Sequence, residues 1–251
     1  MDVTAHCTLE PGSVRFDEEG ASAFAKGVAG DFNPIHDPGS RRFCVPGDLL
    51  FSVLLDRYGV FEETAVRFAG MLDGGVAMAL PPPVPPGADG EPLALHLSDP
   101  RGREVLSFFG EGRRYAEREF VGRLSHEYVR FSGRTFPEIL VPLMREAELM
   151  INPERPLVIY KDMALRVERE ASGPLRLTPS GAELSVSGKK GVARLRFVVE
   201  DDTGRLGEGE KNLVLSGLRA FDEVAMGEVV ALYEERRRAF ESGAAEAGGT
   251  A

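Results

Sequence analysis

The feature that most constrains the fold is an order of elements that occurs twice in the chain. Two predicted helices, over residues 17–30 and 45–59, precede four short runs rich in strand-forming residues. A mostly helical segment over residues 120–150 precedes four more such runs between residues 156 and 218. This order predicts a duplicated unit of about 100 residues.

Short sequence matches support the duplication. AGDFNPIH at residues 29–36 aligns with SGRTFPEI at residues 132–139, an offset of 103 positions. Gly102-Arg103 aligns with Gly204-Arg205 at an offset of 102. Two distant anchors with nearly one offset favour a true repeat. The alternative is a chance coincidence of a few Gly, Pro and Arg positions.

The first half begins with two helices whose ends are predictable. Asp17 is the expected N-cap of the first helix, and Gly30 is the expected residue just beyond its C-terminus. The second helix has a nearly all-apolar middle over residues 49–55, which predicts that it is buried. Pro46 suits its first turn and Gly59 suits its exit.

The predicted strands are short, and turn-forming residues bound them. Proline supplies no amide hydrogen to a sheet, so LPPPVPPGADG at residues 80–90 is predicted to be a long exposed loop. A further helix is predicted over residues 221–243. The first-half strands are expected at residues 64–72, 76–80, 92–99 and 103–112.

The composition limits the classes of function. The net charge of −10 argues against a general nucleic-acid binder, because such proteins need a cationic surface to neutralise phosphates. No run approaches the roughly 18 apolar residues of a membrane span, and the N-terminus lacks a signal-peptide pattern. Cys7 and Cys44 have no metal-ligand or redox spacing and are expected to be free thiols. We therefore expect a cytoplasmic protein with no metal, nucleic-acid or membrane partner.

The loop AGDFNPIHDP, which begins at residue 29, holds the candidate chemistry. Pro34 prevents helical continuation and keeps Asn33 extended, so Asp31 and His36 can project toward a common point. A histidine beside a carboxylate is suited to take a proton from water and return it. The second copy keeps the glycine and proline but has lost the Asp, Asn and His, which favours a chemical role. The alternative is an Asx-type turn in which both side chains bond to local backbone.

The start of the second helix offers a complementary group. The Gly47 amide lies in its first turn, where backbone N–H groups and the helix dipole can hold a developing oxyanion. Asp48 follows it and is interpreted as an ordinary first-turn carboxylate. Arg41 and Arg42 are either contacts for the phosphate of a CoA or carrier-protein substrate, or a solvated surface pair.

The stretch FAKGVAGDFNPIHDPGSRR, which begins at residue 24, resembles the signature of the MaoC-like hydratase/dehydratase family of (R)-specific enoyl-CoA hydratases. The match is strongest over residues 24–36. The resemblance implies an α+β double hot-dog fold, in which two antiparallel sheets each wrap a central helix and form a pseudo-dimer in one chain. With the repeat, it predicts a first domain at residues 1–115 that carries the site. A degenerate second domain with the tail helix is predicted at residues 116–251.

The resemblance also implies roles for individual residues. Asp31 and His36 would activate a water that adds across the double bond of an enoyl thioester. Asn33 and Pro34 would orient the loop, and the Gly47 amide would hold the thioester oxygen. The expected partner is a small-molecule acyl thioester, and no cofactor is implied beyond the CoA or phosphopantetheine that the substrate carries.

Three residues depart from the family pattern. Arg42 replaces a small residue, and Pro46 and Asp48 flank Gly47 where the family has His-Gly-Met. These departures leave two alternatives: a non-catalytic acyl-thioester binding protein, or a hot-dog thioesterase. The whole chain also resembles a group of uncharacterised bacterial double hot-dog proteins. Hot-dog units normally pair, so a monomer with an internal pseudo-dimer and a homodimer are both compatible with the sequence.

Overall fold

Helical segments and strands follow each other in the predicted order, apart from short strands within residues 8–15 and at residues 149–150 and 219–220, which were not predicted. The computed structural model describes residues 1–83, 91–171 and 173–248, so most of the predicted loop at 80–90 lies outside the described residues. The helices are α1 (Glu18–Phe24), α2 (Gly47–Tyr58), α3 (Arg118–Gly133), α4 (Val141–Glu146) and α5 (Glu223–Gly248). The strands are β1 (Thr8–Glu10), β2 (Ser13–Arg15), β3 (Val60–Phe68), β4 (Ala77–Ala79), β5 (Leu93–Ser98), β6 (Glu104–Tyr115), β7 (Leu149–Met150), β8 (Val158–Val167), β9 (Arg176–Ser187), β10 (Lys190–Asp201), β11 (Gly204–Ser216) and β12 (Arg219–Ala220).

Seven of these strands form one antiparallel sheet in the order β5-β6-β3-β8-β11-β10-β9. The strands of each half of the chain lie together, and the halves meet where β3 pairs with β8, with Ala65 opposite Ala164. Strands β1, β2 and β4 form a small separate sheet, and β7 pairs with β12. The two predicted sheets are therefore joined edge to edge into one sheet. Each half provides hydrogen-bond partners for backbone groups that the edge strand of the other half would leave unpaired.

Each half of the large sheet packs on its own helix. Tyr58 of α2 lies 5.6 Å from Phe108 of β6, and Tyr128 of α3 lies 5.4 Å from Phe197 of β10, measured between ring centroids. The helices α2 and α3 also contact each other. This arrangement confirms the predicted α+β double hot-dog fold.

The ends of the first two helices follow from the residues there. Asp17 Oδ1 accepts a hydrogen bond from the Gly20 amide at 2.6 Å, which caps α1. Gly30, at φ 70°, closes the π-helical turn that extends α1, as its left-handed backbone favours glycine. Residues 49–55 of α2 are all buried, and Gly59 ends that helix at φ 84°. The predicted ends of both helices are therefore confirmed, except that Pro46 is the N-cap of α2 and not its first helical residue.

The second helical segment is divided rather than continuous. Helix α3 ends at Gly133, a π-helical turn covers Phe136–Leu140, and α4 follows directly. Pro137 lies in that turn and has no amide hydrogen with which to continue the hydrogen bonds of α3. The predicted helix over residues 120–150 is thus helical in large part, with a break that places residues 132–140 beside the loop of the first half.

The Gly-Arg anchors of the repeat occupy the same kind of turn. Gly102, at φ 76°, lies between β5 and β6, and Gly204, at φ 118°, is the first residue of β11 after the turn that follows β10. In each hairpin an aspartate three positions earlier, Asp99 or Asp201, accepts a hydrogen bond from an amide of the turn. The shared geometry supports the predicted duplication.

The other two anchors, a partly exposed Gly30 and a buried Gly133, lie against each other. A Cβ atom on Gly133 would lie 2.0 Å from the carbonyl oxygen of Ala29, where no side chain fits. We expect Gly133→Ala to lower the free energy of unfolding by about 3 kcal/mol, because backbone atoms must move to admit the methyl group. Urea denaturation measures the change.

A glycine in open surroundings provides the control for this substitution. Apart from its chain neighbours and the backbone of its own helix, Gly227 of α5 has no described atom within 4 Å of its Cβ position. Gly227→Ala should leave the stability unchanged or raise it slightly, since alanine favours a helix. If Gly133→Ala were as stable as the wild-type protein, the close contact of the two glycines would be wrong.

Candidate active site

The loop after α1 holds Asp31 and His36 side by side. The Asp31 amide donates to the Ala25 carbonyl at 2.7 Å, which ties the loop to the end of the helical turn. Asp31 Oδ1 accepts from the Asn33 amide at 2.9 Å, and Asn33 Oδ1 accepts from the Ile35 amide at 3.3 Å. The Asx-type turn is therefore present, but it occupies one carboxylate oxygen of Asp31 and leaves Oδ2 for other contacts.

His36 is buried, and the backbone determines its orientation. Its Nδ1 atom lies 2.7 Å from the carbonyl oxygen of Cys44. Because a carbonyl can only accept, Nδ1 carries the hydrogen, and Nε2 of the neutral ring presents its lone pair. Nε2 lies 3.6 Å from Asp31 Oδ2. The two residues predicted to act together are thus brought together.

The surroundings of this pair adjust its acidity. Burial raises the pKa of the Asp31 carboxyl above its usual value, and the nearby Asp48 carboxylate acts in the same direction. His36 and the Asn33 amide oppose this shift, since both stabilise the carboxylate. A carboxyl whose pKa lies closer to that of imidazole can exchange a proton with it more readily.

Asp31 and His36 lie on the wall of a cavity of about 470 Å³, which residues from both halves of the chain line. The first half contributes the loop and the start of α2, and the second half contributes residues of the divided helix and of β8 and β11. The lining is largely hydrophobic and therefore suits an extended apolar ligand. Hydrophobic lining residues include Phe68, Leu72, Phe136, Leu140, Ile151 and Leu213.

Gly47 begins α2 at the cavity wall. Its amide has no hydrogen-bond partner among the described residues, as is usual in the first turn of a helix. Ring atoms of Tyr160 and Phe68 lie 3.0 and 3.2 Å from the position of a Gly47 Cβ, so a side chain would displace both rings. A larger residue here would crowd both rings, and the Gly47 amide remains available to a ligand.

Arg41 and Arg42 lie in an exposed turn and are not among the residues that line the cavity. The structure does not bring them to the Asp31 and His36 pair, and their position is that of a solvated surface pair. A cationic residue that does line the cavity is Arg236 of α5.

Helix α5 ties the loop to the second half of the chain. The Tyr233 hydroxyl donates to the carbonyl oxygens of Gly30 and Gly133, each at 3.2 Å. The Arg236 guanidinium donates to Asp37 Oδ2 at 2.7 Å. These contacts hold the end of the loop and the end of α3 in one place, so the predicted tail helix has a direct part in positioning the site.

A buried ion pair beside the site was not predicted. Lys211 of β11 is fully buried, and its Nζ donates to Asp48 Oδ1 at 3.0 Å. Nζ also donates to the Tyr128 carbonyl at 2.8 Å and to the Ser132 hydroxyl. The interpretation of Asp48 as an ordinary first-turn carboxylate is corrected, since Asp48 is 3% exposed and paired across the two halves.

The alternation of inward and outward residues in β11 could have indicated that Lys211 is buried. Alternate residues of a strand share a face, so Lys211, Leu213 and Leu215 point the same way. A lysine in a series with buried leucines indicates an inward charge, and such a charge needs a partner. The partner, Asp48, is 163 positions away along the chain, which hides the pairing from any local pattern.

Two kinds of site are absent from the described part of the chain: a cluster of metal ligands and a helix that could cross a membrane. Within those residues, no group of three or more His, Cys, Asp or Glu side chains is placed to hold a metal ion. Their helices also lack the combination of length and hydrophobicity that crossing a bilayer requires. Cys7 and Cys44 are free thiols, and burial raises the pKa of Cys44 to about 12.

Solved structures similar to this chain share little sequence with it. A hot-dog protein of unknown function from Alicyclobacillus acidocaldarius is 11% identical, with coverage of 88% of this chain and 98% of that one and a TM-score of 0.49. A double-hotdog protein from Mycobacterium tuberculosis is 13% identical, with coverage of 84% and 96% and a TM-score of 0.44. An acyl-CoA thioesterase II from Mycobacterium marinum is 12% identical, with coverage of 88% and 99% and a TM-score of 0.44.

At these identities and TM-scores the similarities say nothing about the chemistry of this chain. A search of curated proteins finds no match. One family model, described as a protein of unknown function (DUF3581), matches residues 1–224. The match includes α1, α2, the loop with Asp31 and His36, and the ion pair of Asp48 and Lys211. The chain therefore belongs to the DUF3581 family.

Proposed function

We propose that the protein adds water to the double bond of an enoyl thioester, or removes it in the reverse direction, at the pair of Asp31 and His36. The observation that supports this most is the placement of His36 Nε2 and Asp31 Oδ2, 3.6 Å apart, on the wall of a largely hydrophobic cavity of about 470 Å³. The pair suits activation of water, and the cavity suits an acyl chain. The resemblance of residues 24–36 to the MaoC-like signature supports the same reaction.

The pair can add water without a net gain or loss of protons. One member takes a proton from water as the water oxygen bonds to Cβ of the substrate. The other member delivers a proton to Cα, and the double bond is consumed. Asp31 and His36 then exchange a proton across the 3.6 Å between them, which restores the starting state. The reverse sequence releases water from a 3-hydroxyacyl thioester.

Negative charge develops on the thioester oxygen during this reaction. The Gly47 amide at the start of α2 is suited to stabilise it, because the amide is free and the helix dipole is positive there. Asp48 follows Gly47, but the Lys211 ammonium compensates its charge at 3.0 Å. The departure from the family pattern at position 48 is therefore compatible with an oxyanion at Gly47.

A panel of trans-2-enoyl-CoA thioesters, from crotonyl-CoA to longer chains, tests the proposal. Loss of the absorbance of the conjugated enoyl group reports hydration, and we expect turnover with at least one chain length. Release of free CoA thiol without hydration would indicate a thioesterase instead. Binding by calorimetry without either reaction would indicate an acyl-thioester binding protein. Neither binding nor turnover, with CoA and carrier-protein forms alike, would contradict the proposal.

A further inference from the structure

A second cavity, of about 870 Å³, borders the site loop and is lined by residues from both halves of the chain. Its walls are the π-helical turn that extends α1, the C-terminal part of α3, the first residues of β9 and part of α5. Phe32 is the one described residue that lines both this cavity and the cavity of Asp31 and His36. We call the second cavity the arginine cleft, because its lining includes Arg130, Arg134, Arg176 and Arg237.

The arginine cleft concentrates positive charge in a chain whose net charge is −10. Five of its lining residues are cationic, namely the four arginines and Lys26, and two are acidic, Glu127 and Glu241. Glu127 Oε1 lies 3.3 Å from His126 Nδ1. Like charges repel each other, so bringing these cations to one cleft is unfavourable unless an anion joins them.

Two of the five cations already have partners. Lys26 Nζ lies 2.9 Å from Asp37 Oδ1. The Arg237 guanidinium donates to the Gly133 carbonyl at 3.2 Å and lies 3.5 Å from Glu234 Oε1. The other three are exposed and make no hydrogen bond or ion pair with any residue that the structure describes: Arg130, Arg134 and Arg176. Three guanidinium groups are therefore available to a ligand of the cleft.

The fold brings these three arginines together from two elements. Arg130 and Arg134 are four positions apart at the end of α3, so they lie one turn apart on the same side. Arg176 is the first residue of β9, which contacts α3. Its neighbour across the sheet, Glu200, accepts a hydrogen bond from the Thr178 hydroxyl at 3.2 Å instead of pairing with Arg176. The negative end of the helix dipole accounts for cations at the end of α3, but it does not account for Arg176.

The chemistry of the arginine cleft suits phosphate groups. A guanidinium group presents two parallel N–H donors that match two oxygens of a phosphate. Phe240, which is 38% exposed, also lines the cleft and lies 5.9 Å from Phe32 between ring centroids. Aromatic rings and guanidinium planes both stack on nucleobases. The volume lies within the range of roughly 300–1,000 Å³ that small-molecule sites occupy.

A long polyanion fits the molecule less well. A nucleic acid would extend beyond the cleft onto the surface of a chain with a net charge of −10, which repels it. The charge distribution thus favours a ligand that the cleft can enclose.

We propose that the arginine cleft binds a phosphorylated ligand of nucleotide size, whose phosphate groups are held by Arg130, Arg134 and Arg176. The ligand has two possible sources: the nucleotide part of a CoA thioester, or a separate nucleotide. The phosphate chemistry is the same in both. This inference does not rest on the proposed function, because binding in the cleft does not require a reaction at Asp31 and His36.

Calorimetric titration of the full chain tests the cleft with adenosine 3′,5′-bisphosphate, ADP and pyrophosphate. We expect at least one nucleotide to bind, with an affinity that falls as salt is added because salt screens the charges. Arg130→Gln, Arg134→Gln and Arg176→Gln should each weaken binding on the order of 10-fold, and the triple variant should not bind. Arg176→Lys, which keeps the charge but removes the pair of parallel donors, should show a smaller loss.

A matched control separates the cleft from the overall charge. Arg101 is an exposed arginine in the turn between β5 and β6 and does not line the cleft. Arg101→Gln changes the net charge by the same amount and should leave the affinity unchanged. Thermal melting without ligand should show that all variants are folded, since the substituted side chains are exposed.

The results also identify the source of the ligand. If the arginine variants bind CoA more weakly but bind pantetheine, which lacks the nucleotide, as the wild type does, the cleft holds the nucleotide of CoA. If they lose nucleotide binding but keep their affinity for CoA, the ligand is a separate nucleotide. Either result supports the phosphate site, whether or not the chain hydrates enoyl thioesters.

Four results would overturn the inference. The first is a wild-type protein that binds none of the phosphorylated probes, and the second is a triple variant that binds them as tightly as the wild type. The third is an equal loss in Arg101→Gln, because overall charge would then explain the binding. The fourth is a single-stranded oligonucleotide that binds more tightly than any nucleotide, because the cleft would then belong to a longer polyanion site. None of these results would contradict the reaction proposed at Asp31 and His36.

Discussion

Asp31→Asn and His36→Gln are each expected to lower kcat/KM for enoyl-thioester hydration about 1,000-fold, since each removes one partner of the proton transfer. The double variant should lose little more than either single variant, because the two groups act as a unit and one alone cannot complete the reaction. Steady-state kinetics with the best substrate of the chain-length panel measure both effects.

Matched controls distinguish this effect from damage to the loop. His36→Gln also removes the hydrogen bond to the Cys44 carbonyl, so a stability loss of about 1 kcal/mol is expected. Thermal melting should show that the variant remains folded at the assay temperature. His126→Gln, which replaces a partly exposed histidine of α3, should retain full activity. Activity that survives in both Asp31→Asn and His36→Gln would show that the pair is not the proton-transfer machinery.

Lys211→Met is expected to lower the free energy of unfolding by roughly 3–5 kcal/mol. The substitution removes the cation from a buried site and leaves the Asp48 carboxylate, which is 3% exposed, without its partner. The Tyr128 carbonyl and the Ser132 hydroxyl lose a donor at the same time. Urea denaturation measures the loss. If the slope of the free energy of unfolding against urea concentration is unchanged, the substitution has changed the stability and not the compactness of the unfolded state.

A second substitution tests the cause of that loss. Asp48→Leu combined with Lys211→Met removes both buried charges, so most of the stability should return, because no uncompensated charge remains. Lys189→Met, at the exposed turn between β9 and β10, should change the stability by no more than about 0.5 kcal/mol. If Lys211→Met matched Lys189→Met, the buried ion pair would have no part in stability.

Local patterns in the chain predicted most of the fold. The apolar run at 49–55 predicted the buried helix α2, because a helix surrounded by the rest of the protein exposes no polar face. Asp17 and Gly30 predicted the ends of the first helical segment. The cap that Asp17 provides and the left-handed backbone of Gly30 both depend only on residues close in the chain. The division of residues 120–150 at Gly133 and the joining of two sheets into one were not predicted. The joining depends on pairing between the halves. The division coincides with Pro137, a local cause that the prediction of a mostly helical segment did not use.

The sequence predicted the residues of the candidate site that come from the first half of the chain but not those that come from the second. Asp31 and His36 lie five positions apart, so loop chemistry alone could bring them together. The orientation of His36 depends on the Cys44 carbonyl, which only the folded loop places 2.7 Å from Nδ1. Tyr160 and Lys211 belong to strands of the second half and reach the site through the pairing of β8 and β11. Sequence comparison of the two halves finds only that the second copy lost its polar loop residues.

The sequence by itself determined the α+β elements, their duplicated order and the loop that carries a carboxylate and an imidazole. These follow from interactions between residues close along the chain, such as helix periodicity, capping and proline geometry. Only the tertiary structure decided which buried charge Asp48 pairs with and which groups of the second half meet the cavity. The reason is physical: a charge can be buried only if the whole fold brings its partner within hydrogen-bond distance. That partner, Lys211, is 163 positions away along the chain and lies on β11, in the interior of the seven-stranded sheet.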